Sequence, residues 1–383
     1  MNNIFKILSA VVFCGLLASC SKSDDPVTPL RDYAEQYAAD IDSIDDYIDT
    51  HYMTVDPTNF DVTFTEIPTG GTQQSIRTQT LYPLKDTLVK EDGIEYKIYF
   101  IKFREGDAVN GKRPTQVDSV HVSYRGTRLT DDQFDDATNP VWFGLQDVIT
   151  GWTHIMPNFK TGTYTTAPGP NPITFNDFGA GVMFLPSGLA YFNNAAGSIP
   201  SYSPIIFSFK LYELRYRDHD RDGILSKDER NLNPNIPANL RWKENPFLGY
   251  DINGDGTIDT SNKLYDSNGD GIVDSKEYYD TDGDGTPNML DIDDDGDGIL
   301  TKLERKYTIT SGTAPNLIVN TYYYPFNGAA VDNPSTEVNE TYGIPRKFTG
   351  TIVNGLPQPQ PSDFTDPTRL RRHLDPTCKP PYN

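Results

Sequence analysis

Five times between Asp218 and Glu304 the chain repeats the pattern Asp-x-Asp/Asn-x-Asp-Gly. The copies start at Asp218, Asp251, Asp266, Asp280 and Asp293. Each sets oxygen donors at loop positions 1, 3 and 5 and a glycine at position 6, where the chain must turn sharply. Such a donor set suits a hard cation that takes six to eight oxygens, and calcium is the cofactor this spacing predicts. The candidate ligands are Asp218, Asp220 and Asp222; Asp251, Asn253 and Asp255; Asp266, Asn268 and Asp270; Asp280, Asp282 and Asp284; and Asp293, Asp295 and Asp297. Position 12 should add a bidentate carboxylate. Counting forward gives Glu229, Glu277 and Glu304 for the first, third and last loops and Asp291 for the fourth, whereas the second reaches only Asn262.

Charge makes the cation a structural matter. Residues 218–304 hold 22 acidic and 8 basic side chains, a net −14 of the chain's −21. So many carboxylates with so few apolar neighbours repel one another, and metal binding should supply much of the segment's folding energy. Little room remains for helices: Tyr278 and Tyr279 alone separate Glu277 from Asp280, and Ile292 alone separates Asp291 from Asp293. The later loops therefore resemble thrombospondin type 3 repeats, whereas the first, D-H-D-R-D-G-I-L-S-K-D-E, is similar to a free-standing EF-hand-type loop. The expectation is a stiff, metal-cored spacer.

The N-terminus speaks for compartment. Lys6 precedes an apolar run from Ile7 to Leu17, too short to span a bilayer and suited to a signal-peptide core. It ends in Leu17-Ala18-Ser19-Cys20, which resembles a bacterial lipobox and implies lipidation of Cys20, hence a membrane partner through that lipid. Ser21-Lys22-Ser23-Asp24-Asp25 resembles the export tag of Bacteroidetes-type lipoproteins, so an outer-membrane lipoprotein, periplasmic or surface-exposed, is expected. With Cys14 in the signal and Cys20 lipidated, Cys378 would stand alone and no intramolecular disulfide could form. The acidic balance argues against nucleic acid as a partner.

The organisation expected is a signal peptide at 1–19; an anchor, tether and amphipathic helix at 20–84; a β-dominated domain at 85–216; the repeats at 217–305; and a Pro/Tyr-rich segment at 306–383. Within 30–52, Tyr33, Tyr37, Ile41, Ile44 and Ile48 recur at helical spacing, predicting a helix packed on the domain behind it or, alternatively, a homodimerisation arm. In the third region Ile94-Tyr96-Ile98-Phe100, Val120-Val122-Tyr124 and Ile205-Phe207-Phe209-Leu211 alternate as strands do, around one helical piece, Leu145 to Met156. The fold class is α+β. Arg369-Leu370-Arg371-Arg372-His373 forms a small basic patch, either a solvated turn or a dock for the acidic repeats.

Specific strings then narrow the third region. Val122-Ser123-Tyr124-Arg125-Gly126, Gln133-Phe134-Asp135, Gly144-Leu145-Gln146-Asp147-Val148-Ile149-Thr150-Gly151-Trp152, Leu185-Pro186, Ala190-Tyr191, Ile199-Pro200 and Ile205-Ile206-Phe207-Ser208-Phe209 resemble the FKBP-type peptidyl-prolyl isomerases. The resemblance implies an antiparallel sheet wrapped on one short helix, followed here by the calcium-cored repeats with little regular structure. It implies Trp152 as pocket floor, Tyr124, Phe134, Val148, Ile149 and Phe207 as walls, and Asp135, the Tyr191 hydroxyl and the Ile149 N–H as polar groups facing a proline-containing polypeptide. Such catalysis needs neither nucleophile nor metal. The barrier is amide resonance, roughly 18–20 kcal/mol, and a dry pocket that favours the twisted amide lowers it. The resemblance leads one to expect an acidic residue at Gly188, a glycine at Phe192 and a pocket aromatic near Asn139-Pro140-Val141, and these departures leave a non-catalytic calcium-binding surface lipoprotein, with a protein-binding module on the same fold, as the alternative.

Overall fold

The computed structural model describes residues 30–91, 93–165, 173–227, 229, 282, 286, 288–323, 348–353, 356–359 and 372–380. The elements below all lie within the unit Tyr33–Asn383. Helix α1, Tyr33–Thr50, is the one the spacing predicts. It runs directly into an antiparallel hairpin, β1 (His51–Val55) and β2 (Val62–Glu66). Then come β3 (Leu84–Glu91), β4 (Ile94–Arg104), β5 (Ser119–Arg128) and β6 (Gln133–Gly144). A short helix α2 (Thr150–Ile155) and a small hairpin, β7 (Thr163–Thr165) with β8 (Thr174–Asn176), precede β9 (Gly179–Leu185) and β10 (Ile205–Arg215). The main sheet has the order β3-β4-β9-β10-β5-β6, and every neighbouring pair is antiparallel.

Because side chains alternate along a strand, this sheet buries two faces. On one, Ile98 and Phe100 of β4, Met183 and Leu185 of β9 and Phe207, Phe209 and Leu211 of β10 pack with Trp152, Ile155, Met156 and Phe159. On the other, Tyr99, Ile101 and Phe103 of β4, Val182 and Phe184 of β9 and Ile206 of β10 pack under Ile44, Tyr47 and Ile48 of α1, Val62 of β2 and Ile76. The alternation noted in the sequence is the first set. The second set lies between those residues, and it is closed by 44–76, most of which carries no motif.

Helix α1 packs Ile44, Tyr47 and Ile48 of its apolar stripe on its own sheet, as the first of the two readings expected. It also buries polar side chains that its spacing did not flag. Asp40 Oδ2 accepts hydrogen bonds from Ser187 N (2.7 Å) and Ser187 Oγ (2.6 Å), and Asp40 Oδ1 accepts one from Gln36 Nε2 (2.6 Å). Tyr37 Oη accepts from the Lys97 N–H at 2.8 Å.

The helix expected from Leu145 to Met156 is shorter. Asp147 N–H donates to Gly144 O in a turn, Ile149 is extended (ψ 146°) as N-cap, and helical geometry begins only at Thr150. One turn and a half is too little to persist alone. Burial of Gly151, Trp152, Thr153 and Ile155 and the bond from Thr153 Oγ1 to Leu145 O (2.6 Å) hold it.

Beyond β10 the described pieces are a one-turn helix α3 (Thr301–Glu304), a hairpin of β11 (Lys306–Ser311) with β12 (Ile318–Tyr323), and the pair β13 (Phe348–Val353) and β14 (Leu356–Pro359). Of the basic patch, Arg372 and His373 are described, and they dock rather than standing in solvent, whereas Arg369, Leu370 and Arg371 lie outside the described residues. Arg372 and His373 are buried, and Arg372 Nη1 donates to Glu304 O at 2.8 Å. Lys379 Nζ reaches Asp297 O at 2.9 Å. Among the described residues no helix is long and apolar enough to cross a membrane.

Candidate functional site

The eight residues expected to form the pocket come from four elements, the turn before α2 and the loop after β9. Tyr124 leaves β5, Phe134 and Asp135 leave β6, Phe207 leaves β10, Trp152 stands on α2, Val148 and Ile149 precede it, and Tyr191 follows β9. Cross-strand register brings them together: Phe207 lies opposite Gly126, and Gly126 opposite Asp135. Register shifts in the β5–β6 pair between Val122/Tyr124 and Gly126/Thr127 bracket these residues, as bulges do where side chains must be re-aimed. Gly126 is needed for the same reason. A Cβ there would lie 2.6 Å from Phe134 Cε2 and 2.9 Å from Phe207 Cε1.

Trp152 is 2 % exposed and forms the base of an aromatic box. Its ring meets Phe207 at 5.2 Å, Phe143 at 5.6 Å, Phe209 at 5.6 Å and Tyr124 at 5.7 Å, while Phe134 stands edge-on to Phe207 at 5.5 Å. Edge-to-face pairs of this kind are preferred over sandwiches and rigidify the walls. Phe143 was missed by the sequence reading, which looked for an aromatic at 139–141. It could have been found from β-sheet alternation, since it pairs with Val120, itself in the alternating Val120-Val122-Tyr124 run. Val148, Ile149 and Tyr191 are half-buried and pack on the same cluster.

The polar rim is organised around Asp135. Tyr124 Oη donates to Asp135 Oδ2 at 2.6 Å. Burial, and then that bond to a carboxylate, raises the Tyr124 hydroxyl above its ordinary range. The Tyr191 hydroxyl is likewise raised by burial and then by the charge of Asp135, so both phenols stay protonated donors at neutral pH. Ile149, as N-cap, keeps its N–H outside the helical ladder of α2. The box thus offers apolar walls with donors at its lip. A polar groove of about 340 Å³ is lined by Ser123, Arg125, Ser208, Lys210 and Tyr212 together with Tyr124 and Phe209 of the box.

The departures from the pattern have local causes. Gly188 sits against Tyr96, where a Cβ would come within 2.7 Å of the ring Cζ. Phe192 has a φ of +44°, the left-handed region that favours glycine. Its ring is drawn away to stack on Tyr33 of α1 at 4.1 Å and to meet Tyr202 edge-on at 5.1 Å.

Of the acidic loops, the first and last are described. They share one conformation. Gly223 N–H donates to Asp218 Oδ2 and Gly298 N–H to Asp293 Oδ2, each at 3.0 Å, and both glycines have positive φ (94° and 87°). Asp222 N–H donates to Asp220 Oδ1 (3.0 Å) and Asp297 N–H to Asp295 Oδ1 (3.2 Å). Two groups of carboxylate oxygens converge within 4.8 Å: Asp220, Asp222, Glu229 and Asp294, and Asp293, Asp295 and Asp297. Asp218, half-buried, and Glu304, fully buried, belong to neither group, and Asp294 joins the first although the repeat pattern did not nominate it. Asp282 lies against Gly296, and Asp291 Oδ1 accepts from Asp293 N–H at 2.9 Å. Burial, then the neighbouring carboxylates, pushes Glu229 up to about 12; burial raises Asp222 and Asp295 to about 6 and Asp294 well above its ordinary range. An all-carboxylate donor set of this kind fits a hard divalent cation. Asp251, Asn253, Asp255, Asp266, Asn268, Asp270, Glu277, Asp280 and Asp284, together with Cys20, lie outside the described residues.

Residues 111–212 match the family model of FKBP-type peptidyl-prolyl cis-trans isomerase, and the domain that carries the aromatic box is of that type. Residues 219–338 match a different model, BamM C-terminal. The FKBP-type peptidyl-prolyl cis-trans isomerase FkpA of Escherichia coli (strain K12) is 26 % identical over 134 residues, 34 % of this chain and 44 % of that protein. Its namesake from Aeromonas hydrophila is 28 % identical over 137 residues, 35 % and 45 % of the two chains. The outer membrane protein MIP of Legionella longbeachae is 28 % identical over 132 residues, 33 % and 47 %. This chain thus spans less than half the length of these curated relatives. Among solved structures, a peptidyl-prolyl cis-trans isomerase from Pseudomonas syringae pv. tomato is 29 % identical, covering 33 % of this chain and 80 % of that one, with a TM-score of 0.25. FkpA from Escherichia coli is 26 % identical over 33 % and 51 %, with a TM-score of 0.26.

Proposed function

We propose that this chain is a peptidyl-prolyl cis-trans isomerase and folding helper, held to a membrane by lipid on Cys20 and extended by a calcium-stabilised C-terminal segment. The observation that carries the isomerase reading is the aromatic box over Trp152 with Asp135, Tyr124 and Tyr191 at its rim, in a domain of FKBP type. A proline ring would enter between Phe207, Phe134 and Tyr124 and rest on the Trp152 face. Exclusion of water there disfavours the planar, resonance-polarised amide relative to the twisted one. The Ile149 N–H and the Tyr191 hydroxyl would hold the substrate carbonyls, and Asp135 keeps the Tyr124 hydroxyl oriented. Uncatalysed X-Pro bonds interconvert in tens to hundreds of seconds, so even modest stabilisation of the twisted state is useful to a folding client.

The test is isomerisation of a short X-Pro peptide by the full chain. Acceleration is expected, and Trp152→Leu should lower kcat/KM by about tenfold or more, equivalent to about 1.4 kcal/mol of transition-state binding. A folded chain with no acceleration would replace this reading with a binding module on the same fold. The lipid rests on Leu17-Ala18-Ser19-Cys20. Cys20→Ala should release the protein from the membrane fraction, and a variant that stays there would remove the anchor from the proposal. The calcium reading rests on the repeated Asp-x-Asp/Asn-x-Asp-Gly loops and on their converging buried carboxylates.

A further inference from the structure

The carboxylates of the two described loops do not sort by loop. The pattern assigns Asp293, Asp295 and Asp297 to the last loop and treats Asp294 as an exposed filler between ligands. Instead Asp294 is 1 % exposed, and neither of its carboxylate oxygens has a hydrogen-bond partner among the described residues. Its side chain points away from its own loop's group and converges with Asp220, Asp222 and Glu229 within 4.8 Å. Both Glu229 oxygens and Asp222 Oδ2 are equally without partners among the described residues, in side chains 5 % and 2 % exposed. Unpaired carboxylates buried at this density are strongly unfavourable unless a positive charge lies among them. No nitrogen or sulfur donor belongs to the group, and the nearby ring nitrogen His219 Nδ1 is engaged with Ser226 Oγ at 2.8 Å.

We propose that Asp294 is a ligand of the first loop's cation, so that one calcium-class ion is held jointly by residues 220–229 and by the last loop. The proposal rests on the reading of the repeats as calcium loops and adds to it a ligand that the repeat does not contain. Successive residues of the last loop then serve two ions: Asp293, Asp295 and Asp297 face one, and Asp294 faces the other. Three further copies of the motif lie between the two loops, so the shared ion closes a long stretch of chain. It also ties the C-terminal segment to the isomerase-type domain. Arg217, next to the first loop, donates its N–H to Asp118 Oδ1 of that domain at 3.2 Å and accepts at its carbonyl from Ser226 N–H at 2.9 Å. On the other side Arg305 Nη1 donates to Asp222 O at 2.6 Å, and Arg372 follows through Glu304 O.

The experiment is calcium titration by calorimetry of the full chain stripped with chelator, comparing wild type, Asp294→Asn, Asp222→Asn and Asp297→Asn. Asp294→Asn is expected to weaken the same binding event as Asp222→Asn, by about tenfold or more for loss of one charged ligand, and to spare the event that Asp297→Asn removes. Thermal melting supplies an independent sign. Without calcium Asp294→Asn should melt no lower than wild type, because it relieves repulsion; with calcium it should melt lower. First-loop affinity that stays at the wild-type value in Asp294→Asn while Asp222→Asn weakens it would overturn the shared site and leave the calcium loops standing. A wild-type chain that takes up no calcium would instead overturn the calcium reading itself.

Discussion

At the scale of single residues, Gly126 and Phe192 show how narrowly the site is built. Gly126 faces the Phe134 and Phe207 rings so closely that any side chain would displace both. Gly126→Ala is expected to destabilise the domain by about 1–3 kcal/mol through overpacking and to lower isomerisation more than stability alone explains, because the displaced rings are pocket walls. Denaturant midpoints beside kcat/KM would separate the two effects. At Phe192 two terms compete. Replacement by glycine would relieve a left-handed backbone worth about 1–2 kcal/mol, but it would remove an aromatic packed on Tyr33 and Tyr202, worth about 3–5 kcal/mol. The packing term is larger, so Phe192→Gly should melt below wild type despite restoring the family's glycine. A gain in stability would mean that the stack on α1 contributes little.

At the scale of elements, the surprising one is α1. Its spacing announced a helix, and a helix is what forms. Its buried face, however, includes Gln36 and Asp40, which no hydrophobic pattern would select. Asp40 is buried because Ser187 stands above it, 147 positions away, with an N–H and a hydroxyl to satisfy. Asp40→Ala would leave that N–H buried without its acceptor and is expected to cost about 1.5–3 kcal/mol. Ser187 also begins the turn that leads to Tyr191, so exchange of the amides around 187–192 should speed up in the same variant. Unchanged exchange would confine the role of α1 to the rear core. There, Ile44→Ala and Ile48→Ala should each cost about 2–5 kcal/mol, since both side chains are fully buried beneath the sheet. Removing residues 30–79 altogether would bare Tyr99, Ile101, Val182, Phe184 and Ile206, so an isomerase-type domain begun at β3 should aggregate.

Across the whole molecule, the sheet domain and the acidic segment obey different physics. The domain buries two apolar faces. The segment carries the larger share of the chain's net negative charge, and its buried side chains include the carboxylates of Asp222, Glu229, Asp294, Asp295 and Glu304. Chelation is therefore expected to open the chain after Arg217 to proteases while Trp152 fluorescence and the β-sheet signal persist. Calcium should restore protection, at an ion strength where sodium does not. Simultaneous loss of both parts on chelation would show that the domain depends on the segment for its fold.

The sequence by itself determined the local chemistry. Fixed strings located the box residues from Tyr124 to Phe207, the three-to-four spacing located α1, and the six-residue repeat located oxygen donors and turning glycines, because each of these is written within a few consecutive residues. Only the tertiary structure decided which distant side chains share a site. Phe143 fills a wall that the sequence left to 139–141, since its place depends on cross-strand register through two irregularities. Asp40 becomes a buried hydrogen-bond acceptor, the basic turn at 372–373 becomes a dock, and Asp294 leaves its own loop for another. Each of these depends on a partner far along the chain, and such pairing leaves no period in the sequence for a local pattern to reveal.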